Sequence, residues 1–198
     1  MIKKMVSRHS GNPRNSWHHT PAPSLTPAQK GWLQRPGALT TGLRALGTLE
    51  LRVLREFSAG LSADEACVLK LPLKTPVWIR EIAMRIDGTD CVVARSLTTL
   101  GASHGVWQAM RRLRTRPLAD ILYHNSAIVR SDFEVARVAR TMPMMSPVHA
   151  ARSPQTAGPL LARRSVFWRS DAPLMVAECF LPAFWLLIRP RLSLADGG

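Results

Sequence analysis

Acidic residues are scarce in this 198-residue chain: 13 against 27 basic ones, and none before Glu50. The formal net charge is +14, which points to anionic partners such as nucleic acid, membrane headgroups or acidic metabolites, or to a solvated basic surface. Cysteine is sparse too. Cys67, Cys91 and Cys179 lie far apart, which excludes metal-ligand spacing and argues against a disulfide framework. A reducing compartment fits. No apolar run reaches the roughly 20 residues that a membrane-spanning helix needs. Phe180 to Ile188 comes nearest and is interrupted by Pro182. The N-terminus lacks the apolar centre of a secretory signal. His18-His19 has no Cys or acidic companion, so it is a weak metal candidate.

What is present suits one domain with a sizeable core: 46% of residues are hydrophobic and 20% charged. Residues 1–25 read as a basic, disordered lead without a fold, and 189–198 as a disordered tail. Between them, Thr26-Pro27-Ala28-Gln29 is a helix start, with Thr as N-cap and Pro at the first helical position. Pro36-Gly37 ends that helix, and Leu39 to Leu46 forms a second. The two either cover a site or simply cap the core. Leu49 to Phe57 alternates as a strand. Ser62 to Glu65 opens a short helix. Val106 to Leu113 is expected to be a helix, and a further one is expected from Pro117 to Tyr123. That start leaves the Leu118 N–H without an intrahelical acceptor, a setting that suits a carboxylate. Ala127 to Val138 reads as a strand and Ala139 to Thr156 as a loop. Ala162 to Trp168 and Leu174 to Leu181 make a hairpin about Ser170-Asp171.

Val77 to Ile86 is the strand that organises the rest, and Asp87-Gly88 turns it into a partner beginning near Cys91. Its side chains alternate faces. Trp78, Ile82, Met84 and Ile86 share one face with a single charge, Arg80. The strand Leu174 to Leu181 repeats the pattern: Leu174, Val176 and Phe180 share a face with Glu178. A charge inside an apolar stripe is costly unless a partner meets it. Either the two meet as a buried ion pair, or they form the cationic and anionic ends of a pocket for a ligand with a carboxylate at one end and a hydroxyl at the other.

Several blocks resemble chorismate pyruvate-lyase, in order and at similar spacing. They are Trp78-Ile79-Arg80-Glu81-Ile82, Asp87-Gly88, Arg116-Pro117-Leu118, Arg163-Arg164-Ser165 and Glu178-Cys179-Phe180-Leu181-Pro182-Ala183. The likeness runs from about Thr26 to Leu187, so 26–188 is expected to be one lyase-like domain. The resemblance implies an α+β fold: a single antiparallel β-sheet with helices packed on it and two helical flaps over an internal ligand pocket. It implies cleavage of chorismate to 4-hydroxybenzoate and pyruvate, the first step of bacterial ubiquinone synthesis, with no metal or organic cofactor. Carried over by position, Arg80 grips the ring carboxylate, the Leu118 N–H helps hold it, Glu178 meets the ring hydroxyl, and Leu39 belongs to a flap. Ala119 stands where the best-known members have Gly, and Ala38 replaces a usual Ser.

The expected protein is a cytoplasmic monomer, with no stable membrane insertion and no nucleic-acid partner. Two alternatives remain open on sequence alone. One is a basic nucleic-acid-binding domain, favoured by the run Arg111-Arg112-Leu113-Arg114-Thr115-Arg116. The other is a non-catalytic relative that binds aromatic acids.

Overall fold

A computed structural model describes residues 16–123, 126–151 and 158–189. In chain order the elements are α1 (Pro27–Leu33), α2 (Leu39–Arg44), β1 (Leu49–Gly60), α3 (Ala63–Leu69), β2 (Pro76–Ile86), β3 (Thr89–Thr99), α4 (Leu100–His104), a 3-10 turn (Gln108–Arg112), α5 (Ala119–Leu122), β4 (Val129–Arg130), β5 (Glu134–Arg137), α6 (Met145–Ala150), β6 (Leu161–Arg169), β7 (Ala172–Phe180) and α7 (Pro182–Leu187). The class is α+β. All strands join one antiparallel sheet in the order β1-β2-β3-β7-β6-β4, with β5 also paired to β6.

Two tight turns set the register. Asp87 and Gly88 are both left-handed (φ 47° and 83°), as are Ser170 and Asp171 (47° and 59°). Two positive-φ residues in succession make the turn whose twist matches the strands it joins. The β2–β3 and β6–β7 hairpins then lie edge to edge through β3 and β7. Helix starts follow their capping chemistry. Thr26 with Gln29 and Ser62 with Glu65 each form a reciprocal capping box.

Alternation gives the sheet two unlike faces. Val77, Ile79 and Ala83 of β2 join Val93, Leu97, Met175, Ala177 and Cys179 in a core that also takes Leu69 of α3 and Met144. On the other face the apolar residues divide. Leu33, Leu39 and Leu43 of α1 and α2 pack with Ile82, Met84, Phe180 and Phe184. Trp107, Met110, Leu113, Leu118 and Leu122 pack with Trp78, Phe167 and Leu174. The two helical segments are therefore flaps on one face, and they meet over the middle of the sheet.

Several expectations are corrected. The helix expected over Val106 to Leu113 is instead a 3-10 turn, Gln108–Arg112, that follows α4, although Trp107, Met110 and Leu113 are buried together. Their spacing by threes is the 3-10 period, not the α period. The helix expected from Pro117 begins at Ala119 as α5, and Leu118 is its N-cap rather than its second residue. The strand over Ala127 to Val138 breaks into β4 and β5 around Ser131-Asp132-Phe133. The segment expected as a loop after Ala139 contains α6. Pro182, which interrupts the apolar run from Phe180 to Ile188, starts α7.

The lead is a further correction from Ser16 onward. Trp17 and Leu25 are buried, His18 bridges to Val135, and the Trp17 indole donates to Asp64 at 3.1 Å. Residues 1–15 and 190–198 lie outside the described residues. One tryptophan thus fastens the lead to the core face. Trp17→Ala is expected to lower stability by about 3–5 kcal/mol, read as a drop in the urea midpoint at unchanged slope. A midpoint equal to that of the parent would show that the lead is not part of the folded unit.

Candidate functional site

Where the two flaps meet, the sheet face carries a narrow hollow. Leu39 and Thr40 of α2 wall one side, Pro117, Leu118 and Tyr123 another, and Ile82, Ser96, Ser165, Phe167, Val176 and Glu178 form the floor. The void is about 50 Å³, room for a few waters. A ring-sized guest therefore requires the flaps to part.

Three of the four expected site residues line this hollow: Leu39, Leu118 and Glu178. Arg80 lies just beyond the lining, on the same sheet face. Its neighbour along β2, Ile82, and its cross-strand partner, Ser96, are both in the walls. Register places Arg80 two strands and two residues from Glu178, about 12 Å between Cα atoms. The two do not pair with each other. Arg80, 1% exposed, donates through Nε to Glu56 at 3.2 Å and through Nη2 to the carbonyls of Arg114 and Arg116. Among the described residues its Nη1 has no partner. Burial pulls the guanidinium below its usual pKa, and Glu56 pushes it back up.

The Arg80 contacts also shape the loop before α5. Arg114 is left-handed (φ 51°), an uncommon conformation for a long side chain, and it is the Arg114 carbonyl that Arg80 holds. The same loop delivers Leu118. Among the described residues the Leu118 N–H has no acceptor, as the sequence predicts, although it belongs to the N-cap.

Glu178 has a different partner. Arg163 sits directly across from it in the β6–β7 register and donates through Nε to Glu178 Oε2 at 2.6 Å. Among the described residues Oε1 has no partner. Sequence reasoning missed Arg163. The signal was there: two adjacent arginines in a strand must point to opposite faces, so one of them had to share a face with Ser165, Phe167 and Glu178. Its neighbour Arg164 faces the other way and meets Asp64 at 2.9 Å and Glu134 at 2.6 Å. On that opposite face Arg95 meets Glu65 and Glu81, and Glu81 also takes Arg55 and Ser146. These buried arginines are matched by carboxylates, so the basic surplus lies on other residues.

No buried thiol offers an alternative chemistry. Burial pushes Cys91 up to about 11 and Cys179 further still, far from the thiolate that a nucleophile needs.

Comparison with known proteins decides the family. The chorismate lyase family model matches residues 13–189. The chain belongs to the chorismate lyase family. It is 57% identical over 176 residues to a probable chorismate pyruvate-lyase of Bordetella pertussis, covering 87% of this chain and 92% of that one. It is 40% identical to probable chorismate pyruvate-lyase 1 of Pseudomonas fluorescens, covering 85% and 90%. Among solved structures, the effector domain of PhnF from Mycobacterium smegmatis shares the fold at TM-score 0.51 and 13% identity, over 74% of this chain and 90% of that one. The site departs from the expected picture at two points: Arg80 lies just beyond the lining of the hollow, and the Glu178 carboxylate is held by a second buried arginine, Arg163.

The flaps are also tied to each other. The Tyr123 hydroxyl donates to the Gly37 carbonyl at 2.9 Å and accepts from Arg130 at 2.8 Å. Tyr123→Phe removes both bonds at a cost of about 1 kcal/mol. Amide exchange over residues 37–44 is expected to rise about five-fold, read by hydrogen–deuterium exchange. Unchanged exchange would mean that the flaps part elsewhere.

Proposed function

We propose that this chain is a chorismate pyruvate-lyase, cleaving chorismate to 4-hydroxybenzoate and pyruvate. The observation that carries the reading is the disposition of Arg80 and Glu178. They stand on one sheet face, Glu178 in the wall of the hollow and Arg80 just beyond it, each engaged elsewhere and each with one atom unpartnered among the described residues. The family supports the substrate, and the charge balance supports an anionic guest.

The chemistry asks little of the protein beyond posture. The ether bond between ring and enolpyruvyl group breaks, one ring hydrogen leaves, the ring becomes aromatic, and enolpyruvate ketonises to pyruvate. Aromatisation drives the step, so the site has to hold a reactive conformer away from water. In this reading Arg80 binds the ring carboxylate through a charge-assisted contact, the Leu118 N–H adds a second donor, and Leu39 covers the ring. Glu178 receives the ring hydroxyl through Oε1 and orients the carbon that loses its hydrogen. Among the described residues no helix is long and apolar enough to cross a membrane. We take the protein to act in the cytoplasm as a monomer, with the three cysteines free.

Turnover of chorismate, followed by absorbance of 4-hydroxybenzoate, tests the reading. Arg80→Ala and Glu178→Gln are each expected to lower kcat/KM about 100-fold. Near-parental values in both would end the assignment. Because the substrate is a dianion and the protein carries +14, kcat/KM is also expected to fall as ionic strength rises from 20 to about 300 mM. Binding of 4-hydroxybenzoate without turnover would favour a non-catalytic relative instead.

A further inference from the structure

Arg163 is 2% exposed, and the way its charge is satisfied sets it apart from the arginine beside it. Arg164, 3% exposed on the opposite face, takes two carboxylates, Asp64 and Glu134. Arg163 takes one carboxylate, Glu178, and two backbone carbonyls. Its Nη1 donates to Arg35 at 2.9 Å and to Trp32 at 3.3 Å. Those carbonyls lie at the end of α1 and in the turn that leads to α2, where Leu39 walls the hollow. Phe133 closes the other side, 4.4 Å from ring centre to guanidinium carbon. A guanidinium is flat and rigid, so fixing one edge fixes the direction of the other.

We propose that Arg163 is a positioning residue that makes seating of the α1–α2 flap and aiming of the Glu178 carboxylate one event. The inference rests on the reading of Glu178 as the carboxylate that meets substrate. With the flap down, three polar contacts and one ring hold the guanidinium, and Oε2 of Glu178 is held with it. With the flap raised, Nη1 loses both carbonyls. The guanidinium then turns about its remaining contact, and the carboxylate loses its aim. An open site is therefore an unaligned site, and alignment arrives with closure. A purely structural cation has no need of flap carbonyls, as Arg164 shows on the same strand.

Arg163→Lys and Arg163→Met, alone and combined with Glu178→Gln, test this by hydrogen exchange over residues 33–44 and by steady-state kinetics. Lysine keeps a cation beside Glu178, but a point charge cannot hold the carboxylate and both carbonyls in one plane. In the free protein, exchange is expected to rise at least ten-fold in both Arg163 variants. It is expected to rise several-fold in Glu178→Gln, although Glu178 makes no hydrogen bond to the flap among the described residues. Adding Glu178→Gln to Arg163→Met is expected to produce no further rise. With chorismate, Arg163→Lys is expected to recover a large part of the kcat lost in Arg163→Met while KM and flap exchange stay raised.

Parental exchange in Glu178→Gln, or additive effects in the double variant, would overturn the coupling. If Arg163→Met does not fold, Arg163→Lys and Glu178→Gln decide the matter alone. Failure of the parent protein to cleave chorismate would sink the lyase reading instead, and the exchange data would still report on the coupling.

Discussion

Four arginines on one sheet are out of water: Arg80, Arg95, Arg163 and Arg164. Removing each from solvent costs several kcal/mol unless anions and acceptors surround it, and the arrangement of those acceptors divides the molecule in two. On the core face Arg95 and Arg164 each have two carboxylates. On the hollow face Arg80 and Arg163 each have one carboxylate, and backbone carbonyls supply the rest. The core face is a closed electrostatic account. On the hollow face the two arginines and two carboxylates balance one to one, and the donors left over go to carbonyls of the flaps.

The carbonyls on that face come from the flaps. Arg80 holds the loop that leads into α5, and Arg163 holds the turn between α1 and α2. The flaps are thus anchored to the sheet through main chain, and apolar packing of Trp32 on Phe184, with rings 4.9 Å apart, completes one seat. Main-chain anchoring does not specify flap side chains.

Period-two patterning made the sheet legible in the sequence. β2, both hairpins, the helix starts at Thr26 and Ser62 and the faces bearing Arg80 and Glu178 stand as the residues predict. Patterning cannot say which strand lies beside which. The choice between a direct Arg80–Glu178 pair and two ends of a pocket depended on register across β3 and β7. The partner of Glu178 depended on β6 lying opposite it. Trp17 was missed for a related reason: its hydrogen-bond partner is Asp64, 47 positions away, and one aromatic in a polar lead has no period. Over 107–113 the reason differs, because the spacing by threes of Trp107, Met110 and Leu113 suits a 3-10 turn as well as one face of an α-helix.

A single cation that bridges a pocket carboxylate and a lid has a kinetic consequence. Were Glu178 held by a carboxylate-bound arginine of the Arg164 type, its orientation would be the same in open and closed states, and closure would serve only to exclude water. With Arg163 shared between them, desolvation and alignment occur in the same movement. Both contributions to barrier lowering, a dry site and an oriented partner, then appear only when the flap is seated. The same linkage acts in reverse on the product. On the proposed reading, a ring hydroxyl bonded to Glu178 would stabilise the guanidinium in its flap-holding pose, so the contact that aligns the substrate would also slow the opening that releases what is made from it.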